Sequence, residues 1–143
     1  MNVEKLINFC KNVILDGEKI IVPSNFHDTL VFIVSEYSYD ILKEITAVDL
    51  GSEIELIYRL YSTTDDEEAV LSTKVQDNAE SIIDIFKSAQ ADENEIYDLF
   101  GVKFIGNDNL KRLYLPQSWE GHPLRKDYIQ DDTRLAWNDK DNA

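Results

Sequence analysis

Glu53-Ile54-Glu55-Leu56-Ile57-Tyr58-Arg59-Leu60-Tyr61-Ser62 is the stretch that decides the fold. Ile54, Leu56, Tyr58 and Leu60 fall on one face of an extended chain. Glu55, Ile57, Arg59 and Tyr61 fall on the other. Strict alternation over this length reads as a β-strand, and apolar groups on both faces read as an interior one. Thr63 to Glu68 follows as an acidic loop, a solvated hairpin tip. Ala69 to Val75 is the return strand, so the centre of the fold is a β-hairpin.

Upstream, Asp49-Leu50-Gly51 is a turn, and Ile41 to Ala47 is apolar at mixed spacing, with no element assigned. Ser24 to Tyr37 is β-branched enough for a strand. Its stripe of Phe26, Leu30, Ile33, Val34 and Tyr37 is continuous, however, so the spacing predicts a helix with Ser24 as N-cap behind Pro23. Lys19 to Val22 reads as a short strand after an Asp16-Gly17 turn. Val3, Leu6, Ile7, Cys10, Val13 and Ile14 recur at helical spacing and predict a first helix.

Downstream, Asn78 to Ala89 predicts a helix that buries Ile82, Ile83 and Phe86. A second helix follows, capped by Asp92, with Glu93 and Glu95 as first-turn acids favouring the dipole. Ile96, Leu99 and Phe100 form its apolar side and Gly101 ends it. Val102 to Ile105 is a last short strand. This order predicts an α+β two-layer sandwich, with helices packed on a mixed or antiparallel sheet over residues 1–106. Residues 107–143, with Pro116 and Pro123 and little apolar periodicity, form an irregular C-terminal extension.

The 143 residues are 43% hydrophobic and carry a formal net charge of −14. That content supports a real core, and that charge disfavours nucleic acid and anionic membrane as partners. The charge is uneven. Between Lys103 and Arg134, six basic residues against five acidic ones give +1, leaving −15 on the rest. Cys10 is the only cysteine, which excludes an intrachain disulfide and suits a reducing compartment. Met1 to Cys10 has no signal-peptide pattern, and no stretch reaches the roughly 20 apolar residues of a spanning helix.

The extension contains the least periodic and most particular run of the chain: Trp119-Glu120-Gly121-His122-Pro123-Leu124-Arg125-Lys126-Asp127-Tyr128. Loops carry recognition more often than packing. Two histidines and one cysteine give no zinc spacing, and a cluster needing several thiolates is excluded within one chain. There is no phosphate loop, dinucleotide fingerprint or nucleophile elbow. Glu93 and Glu95, at i and i+2, do not face each other as paired carboxylates would. His122 stands beside a cationic pair that disfavours its charged form; it is a pH-sensitive or ligand group, or a hydrogen-bonded loop histidine. Arg125 and Lys126 grip a partner's carboxylates or pair with Asp127 and the acidic tail. Trp119 and Tyr128 are binding anchors or fold back on their own domain.

Three stretches resemble the 30 kDa subunit family of respiratory complex I, which in bacteria is the C subunit of the NADH–quinone oxidoreductases. They also resemble the matching subunit of energy-converting membrane-bound nickel–iron hydrogenases. The stretches are Thr46-Ala47-Val48-Asp49 with the strand Glu53–Ser62, the signature Glu93-Asn94-Glu95-Ile96-Tyr97-Asp98-Leu99-Phe100-Gly101-Val102, and Trp119 to Tyr128. The chain departs from the family at Asn94, where an Arg is usual, and at Asn107-Asp108-Asn109, where a His-Pro-Asp is usual.

The resemblance implies a structural and assembly subunit of a hydrophilic arm, holding no cofactor and no catalytic residue. Trp119, Gly121, His122, Pro123, Leu124, Arg125, Lys126, Asp127 and Tyr128 would dock on a partner resembling a hydrogenase large subunit, beside an iron–sulfur small subunit. The location implied is the cytoplasmic side of the cell membrane, reached only through the complex. A tail without its own core needs a partner surface to be ordered. Two other readings compete: a small enzyme built on His122, Arg125 and Asp127, which must converge in a concave pocket, and an acidic adaptor acting through Asp65 to Glu68.

Overall fold

The computed structural model describes residues 1–129. Its elements are α1 (Val3–Phe9), β1 (Ile14–Asp16), β2 (Lys19–Ile21), α2 (Phe26–Tyr37), β3 (Ile41–Asp49), β4 (Ile54–Ser62), β5 (Glu67–Val75), β6 (Asn78–Glu80), α3 (Ala89–Phe100) and β7 (Lys103–Ile105). Five strands form one sheet in the order β1-β2-β5-β4-β3. All pairs are antiparallel except β2 with β5, so the sheet is mixed. β6 and β7 form a separate parallel pair. The architecture is the expected α+β one.

The hairpin of β4 and β5 is its centre. Ile54, Leu56, Tyr58 and Leu60 are all buried, facing Leu71 and Ala69 on the same side. α2 lies over them, with the Phe26 ring 4.3 Å from that of Tyr58. Phe26, Leu30 and Ile33 are buried along one stripe of α2. Burying each such side chain contributes about 1.5–3 kcal/mol. The helix-propensity cost of a β-branched residue is at most about 0.7 kcal/mol. Packing therefore makes α2 a helix despite its composition.

Three expected elements change. Asn78 to Ala89 is not a helix. Its first residues are β6, and the rest are single turns such as Phe86 N–H to Ile82 C=O at 2.8 Å. Long-range partners take the donors a helix would need. Ser81 N–H donates to Ile105 C=O, and Ile82 N–H donates to the Glu93 carboxylate, at 2.9 and 2.8 Å. Tertiary pairing outweighs a weak local preference here.

The helix that follows begins at Ala89, so Asp92 is not its cap and Glu93 is not a first-turn acid. Asp92 instead accepts the Ile45 N–H at 3.1 Å. Ile45 lies on β3, an edge strand, so this carboxylate closes a sheet edge. Finally, α1 stops at Phe9, and Ile14 belongs to β1, an exposed edge strand turned back onto β2 at Gly17 (φ 61°). Ile41 to Ala47, for which spacing assigns no element, belongs to β3, which runs on to Asp49 and pairs with β4 along its length, with a bulge between Leu42 and Glu44.

Candidate functional site

α3 carries three buried polar side chains: Glu93, Asn94 and Asp98. Apolar periodicity gives no reason for them. Each takes at least one donor from the segment that follows β7, and Glu93 takes two more from Ser81 and Ile82 ahead of α3. Glu93 accepts from Ser81 Oγ (2.8 Å), Ile82 N–H (2.8 Å) and Asn107 Nδ2 (2.8 Å). Asn94 Oδ1 accepts the Lys111 N–H at 3.2 Å, which gives a reason for an amide where the family usually has an arginine. Asp98 accepts three consecutive backbone N–H groups, from Leu113, Tyr114 and Leu115, at 3.2, 2.7 and 3.0 Å.

Arg112 completes the Asp98 site. Its Nη1 donates to Asp98 Oδ1 at 2.9 Å, with both side chains almost fully enclosed. Its Nη2 reaches onward to the carbonyls of Trp119 (2.7 Å) and Gly121 (3.0 Å). One guanidinium thus ties the helix to the far run. An irregular segment must satisfy its backbone groups somewhere, and here a helix carboxylate and an arginine do it.

The two carboxylates titrate in opposite directions. Burial is the largest influence on Asp98 and pushes its pKa up. The three N–H donors and Arg112 together outweigh it, so the group sits below the ordinary aspartate value. Burial is also the largest influence on Glu93. There it prevails over the donors from Ile82, Asn107 and Ser81, and the pKa is raised.

The run Trp119 to Tyr128 lies against the C-terminal end of α3. Gly101 caps that helix with φ 77°, its N–H on the Tyr97 carbonyl at 2.9 Å. A Cβ built on Gly101 would stand 2.6 Å from Cδ2 of His122. Glycine is required there by backbone conformation and by the imidazole packed on it. His122 Nδ1 is 2.9 Å from the Asp98 carbonyl, so this nitrogen carries the proton, and its ring is tilted against Tyr97. Leu124 N–H donates to Leu99 C=O at 2.9 Å, and Arg125 Nη1 to Phe100 C=O at 3.2 Å. Lys126 N–H donates to Asp49 Oδ2 at 2.7 Å. This bond and the Gly51 N–H lower the Asp49 pKa.

The sequence signatures around α3 and around His122 are therefore one site. Arg125 holds the run to its own helix. The side chains of Lys126 and Asp127 are exposed, as is Leu124 at 52%. Leu113 and Tyr114 are also exposed, at 44% and 66%. Trp119 and Tyr128 are half-buried, and Trp119 Nε1 is enclosed without an acceptor among the described residues. Pro123 is half-buried. Glu95 is half-buried on α3 and takes no part in the Asp98 or Glu93 bonds. Asp131, Asp132 and Arg134, counted in the near-neutral segment, lie outside the described residues.

His122, Arg125 and Asp127 do line a cleft of about 480 Å³, with Asp77, Gly101 and Tyr128. Arg125 is 3.8–4.0 Å from the Asp127 and Asp77 carboxylates. Among the described residues, no serine, threonine, cysteine or lysine lines it. Among them, too, no group of three or more His, Cys, Asp or Glu is placed to hold a metal. No helix among them is long and apolar enough to cross a membrane.

Arg112, Asn107 and Asp49 are site residues that sequence pattern does not single out. Asn107-x-Asn109 is a local signal: Asn109 N–H bonds back to Asn107 Oδ1 at 3.0 Å, an Asx turn. Asp49 carries the same kind of signal, its Oδ1 accepting the Gly51 N–H at 2.8 Å, whereas Arg112 has none, since its carboxylate partner lies 14 residues back.

Fold and site together define a two-layer α+β domain bearing a C-terminal strap bound to one helix. A family model described as respiratory-chain NADH dehydrogenase, 30 kDa subunit, matches residues 20–134. The chain belongs to that family. It is 35% identical over 118 residues to the NADH-quinone oxidoreductase C/D subunit of Phocaeicola vulgatus, covering 78% of this chain and 23% of that protein. It is 36% identical over 107 residues to the NADH-quinone oxidoreductase C subunit of Trichlorobacter lovleyi, covering 69% and 65%. The chain thus spans about a quarter of the length of the C/D-type relatives it matches. Among solved structures, a chain of the membrane-bound sulfane sulfur reductase, an archaeal respiratory membrane complex, is similar. It matches with a TM-score of 0.72 and 25% identity, over 97% of this chain and 88% of that one.

Proposed function

We propose that this chain is a non-catalytic structural subunit in the hydrophilic arm of a complex I-like NADH:quinone oxidoreductase. It supports electron transfer by docking, holds no cofactor and carries no catalytic residue. The strap is the docking element: Trp119 to Tyr128 with the preceding Leu113 and Tyr114. Its partner is the hydrogenase-large-subunit-like protein, beside the iron–sulfur small subunit, on the cytoplasmic side of the membrane. The observation that carries this reading is how the strap is built. Its backbone is fixed inward by Asp98, Arg112 and the last α3 carbonyls, while Leu113, Tyr114 and Leu124 point to solvent. A segment held by its backbone with apolar side chains outward is arranged for a partner.

The buried carboxylates fit this role, because Glu93 and Asp98 already receive donors from their own chain. The acidic-adaptor reading is weakened in the same way. Glu68 is paired with Lys43 and Arg59, Glu67 with the terminal amine, and Asp66 with the Tyr61 hydroxyl. The second reading is the equivalent subunit of an energy-converting membrane-bound hydrogenase; the long match to a chain of the membrane-bound sulfane sulfur reductase supports a host among respiratory membrane complexes other than an NADH:quinone oxidoreductase.

Affinity purification of the tagged subunit from solubilised membranes tests the proposal. The large-subunit homologue and the iron–sulfur subunit are expected with it, and Leu124→Glu should remove both without lowering the melting temperature of the free subunit. A partner list without the large-subunit homologue sinks the reading.

A further inference from the structure

Strand β2 parts from β5 early. Their ladder ends at Ile21 with Ser72, and its last bond is Val22 N–H to Ser72 C=O at 2.8 Å. Pro23 then leads the chain off into α2. In a ladder, alternate residues turn their N–H and C=O to the same side. Lys74 therefore presents both groups where β2 has gone, and no described residue takes them there. β6 continues the open edge. Asp77 C=O and Ser81 N–H are bonded to Lys103 and Ile105 of β7, at 2.9 Å each. By the same alternation, Asn78 and Glu80 turn their N–H and C=O away from β7.

These three residues line one cleft of about 330 Å³. Its apolar lining includes Phe26, Tyr58, Val75 and Ile105, the last 63% exposed. Tyr58 and Thr73 bring hydroxyls to it on residues only 1% and 6% exposed. Neither hydroxyl is hydrogen-bonded among the described residues. Among those residues, the enclosed side-chain donor without an acceptor is Trp119 Nε1, so these two hydroxyls are not sealed in. The cleft is where they open. Burial raises the Tyr58 pKa above the ordinary tyrosine value, which keeps this hydroxyl a donor.

The other edges of the five-stranded sheet are managed. Asp92 takes the Ile45 N–H on β3, and β1 is only three residues long. The edge in the cleft has no such cover among the described residues. Donors alone would suit an anion. This edge offers acceptors as well, in strand alternation, and another extended backbone is what matches both. Its charged side chains are one base and one acid, Lys74 and Glu80, so it selects neither a basic nor an acidic segment.

We infer that this cleft takes an extended, uncharged segment of another subunit, paired by its backbone to the edge of Lys74, Asn78 and Glu80, with an apolar side chain seated against Phe26 and Ile105. The inference rests on the subunit reading above. A second copy of this chain is the poorer occupant, because each copy brings −14 and two copies repel as they approach.

Hydrogen exchange on the purified complex and on the free subunit tests it. The amides of Lys74, Asn78 and Glu80 should exchange rapidly in the free subunit and at least about ten-fold more slowly in the complex. Lys74→Pro removes a pairing N–H without removing a bond to β4, since that N–H points away from β4. It should abolish the protection of Asn78 and Glu80 and leave the melting temperature of the free subunit unchanged. If it lowers that temperature, Ile105→Glu, at an exposed side chain, replaces it with the same expectation. Unprotected cleft amides in a complex that retains the large-subunit homologue overturn this inference and leave the strap reading intact. Protection that survives both Lys74→Pro and Ile105→Glu overturns it in the same way. A tagged subunit that recovers no large-subunit homologue overturns both. Protection that appears in the free subunit as its concentration is raised makes a second copy the occupant and overturns the choice of partner.

Discussion

Asp98 is the residue on which the strap depends. Truncating one partner of an enclosed ion pair costs about 3–5 kcal/mol, because the other charge is left buried. Asp98→Asn keeps an acceptor for the N–H groups but leaves Arg112 unmatched, so a loss of about 3 kcal/mol is expected in urea denaturation of the free subunit. Asp127→Asn, whose side chain is 81% exposed, should change stability by no more than about 0.5 kcal/mol. Equal losses for the two would show that Asp98 holds nothing. The pH dependence has a definite sign. The folded-state pKa of Asp98 is depressed, so its contribution is complete above the ordinary aspartate value and is lost as pH falls through the folded one. Gly101 makes a separate prediction. Left-handed backbone costs an alanine about 1–2 kcal/mol, and its Cβ must also displace His122. Gly101→Ala should therefore cost more in the wild type than in a His122→Ala background, where only the backbone strain remains. A double-mutant cycle with no coupling between the two sites would contradict the contact.

At the scale of the element, α3 is an amphipathic helix whose second face is polar and yet buried. Glu93 shows what that does to pH response. Its folded pKa is raised above the ordinary value of 4.5. It contributes most below that value, and stability falls as pH rises from there through the raised pKa, where the buried group must ionise. Asp92, also raised by burial, acts in the same sense. Glu93→Gln should cost about 1–3 kcal/mol, since its NH₂ faces the Asn107 donor. It should also flatten this falling limb in denaturation curves measured across a pH series. An unchanged limb would assign it to Asp92 alone. Much of the element layout is legible in the sequence, and the reasons are local. β4 alternates, α2 has an unbroken stripe, and Gly101 marks the α3 end. What sequence pattern misplaces has one physical source. Asn78 to Ala89 carries a helical spacing of Ile82, Ile83 and Phe86, but its donors are taken by Ile105 and Glu93. Glu93 reads as a solvated acid of a first helical turn, because charged side chains are rarely buried unless paired. The partners that permit burial of Glu93 and Asp98 are Asn107 and Arg112, each 14 residues further on.

For the whole molecule, the question is whether residues 107–129 are an appendage or a part of the fold. Sequence pattern separates them at Gly106, since apolar periodicity ends there. The hydrogen bonds do not, because Glu93, Asn94 and Asp98 all take donors from beyond it. The strap has no core of its own, and its backbone N–H groups at Leu113, Tyr114 and Leu115 are taken by Asp98 of the helix. A chain cut after Gly106 removes those donors, and the sign of one substitution then reports the coupling. In the full chain Asp98→Asn costs about 3 kcal/mol, because it breaks the Arg112 pair. In the cut chain Asp98 is solvated and sits two residues before the end of α3, where a negative charge opposes the helix dipole by about 0.3–1 kcal/mol. There Asp98→Asn should stabilise by about that amount. Urea denaturation of the four proteins decides it. An inverted sign means that helix and strap fold as one unit, with the docking surface formed before any partner arrives. The same sign and size in both chains would mean that Asp98 does not act through the strap, and the strap would then be ordered only by what it binds.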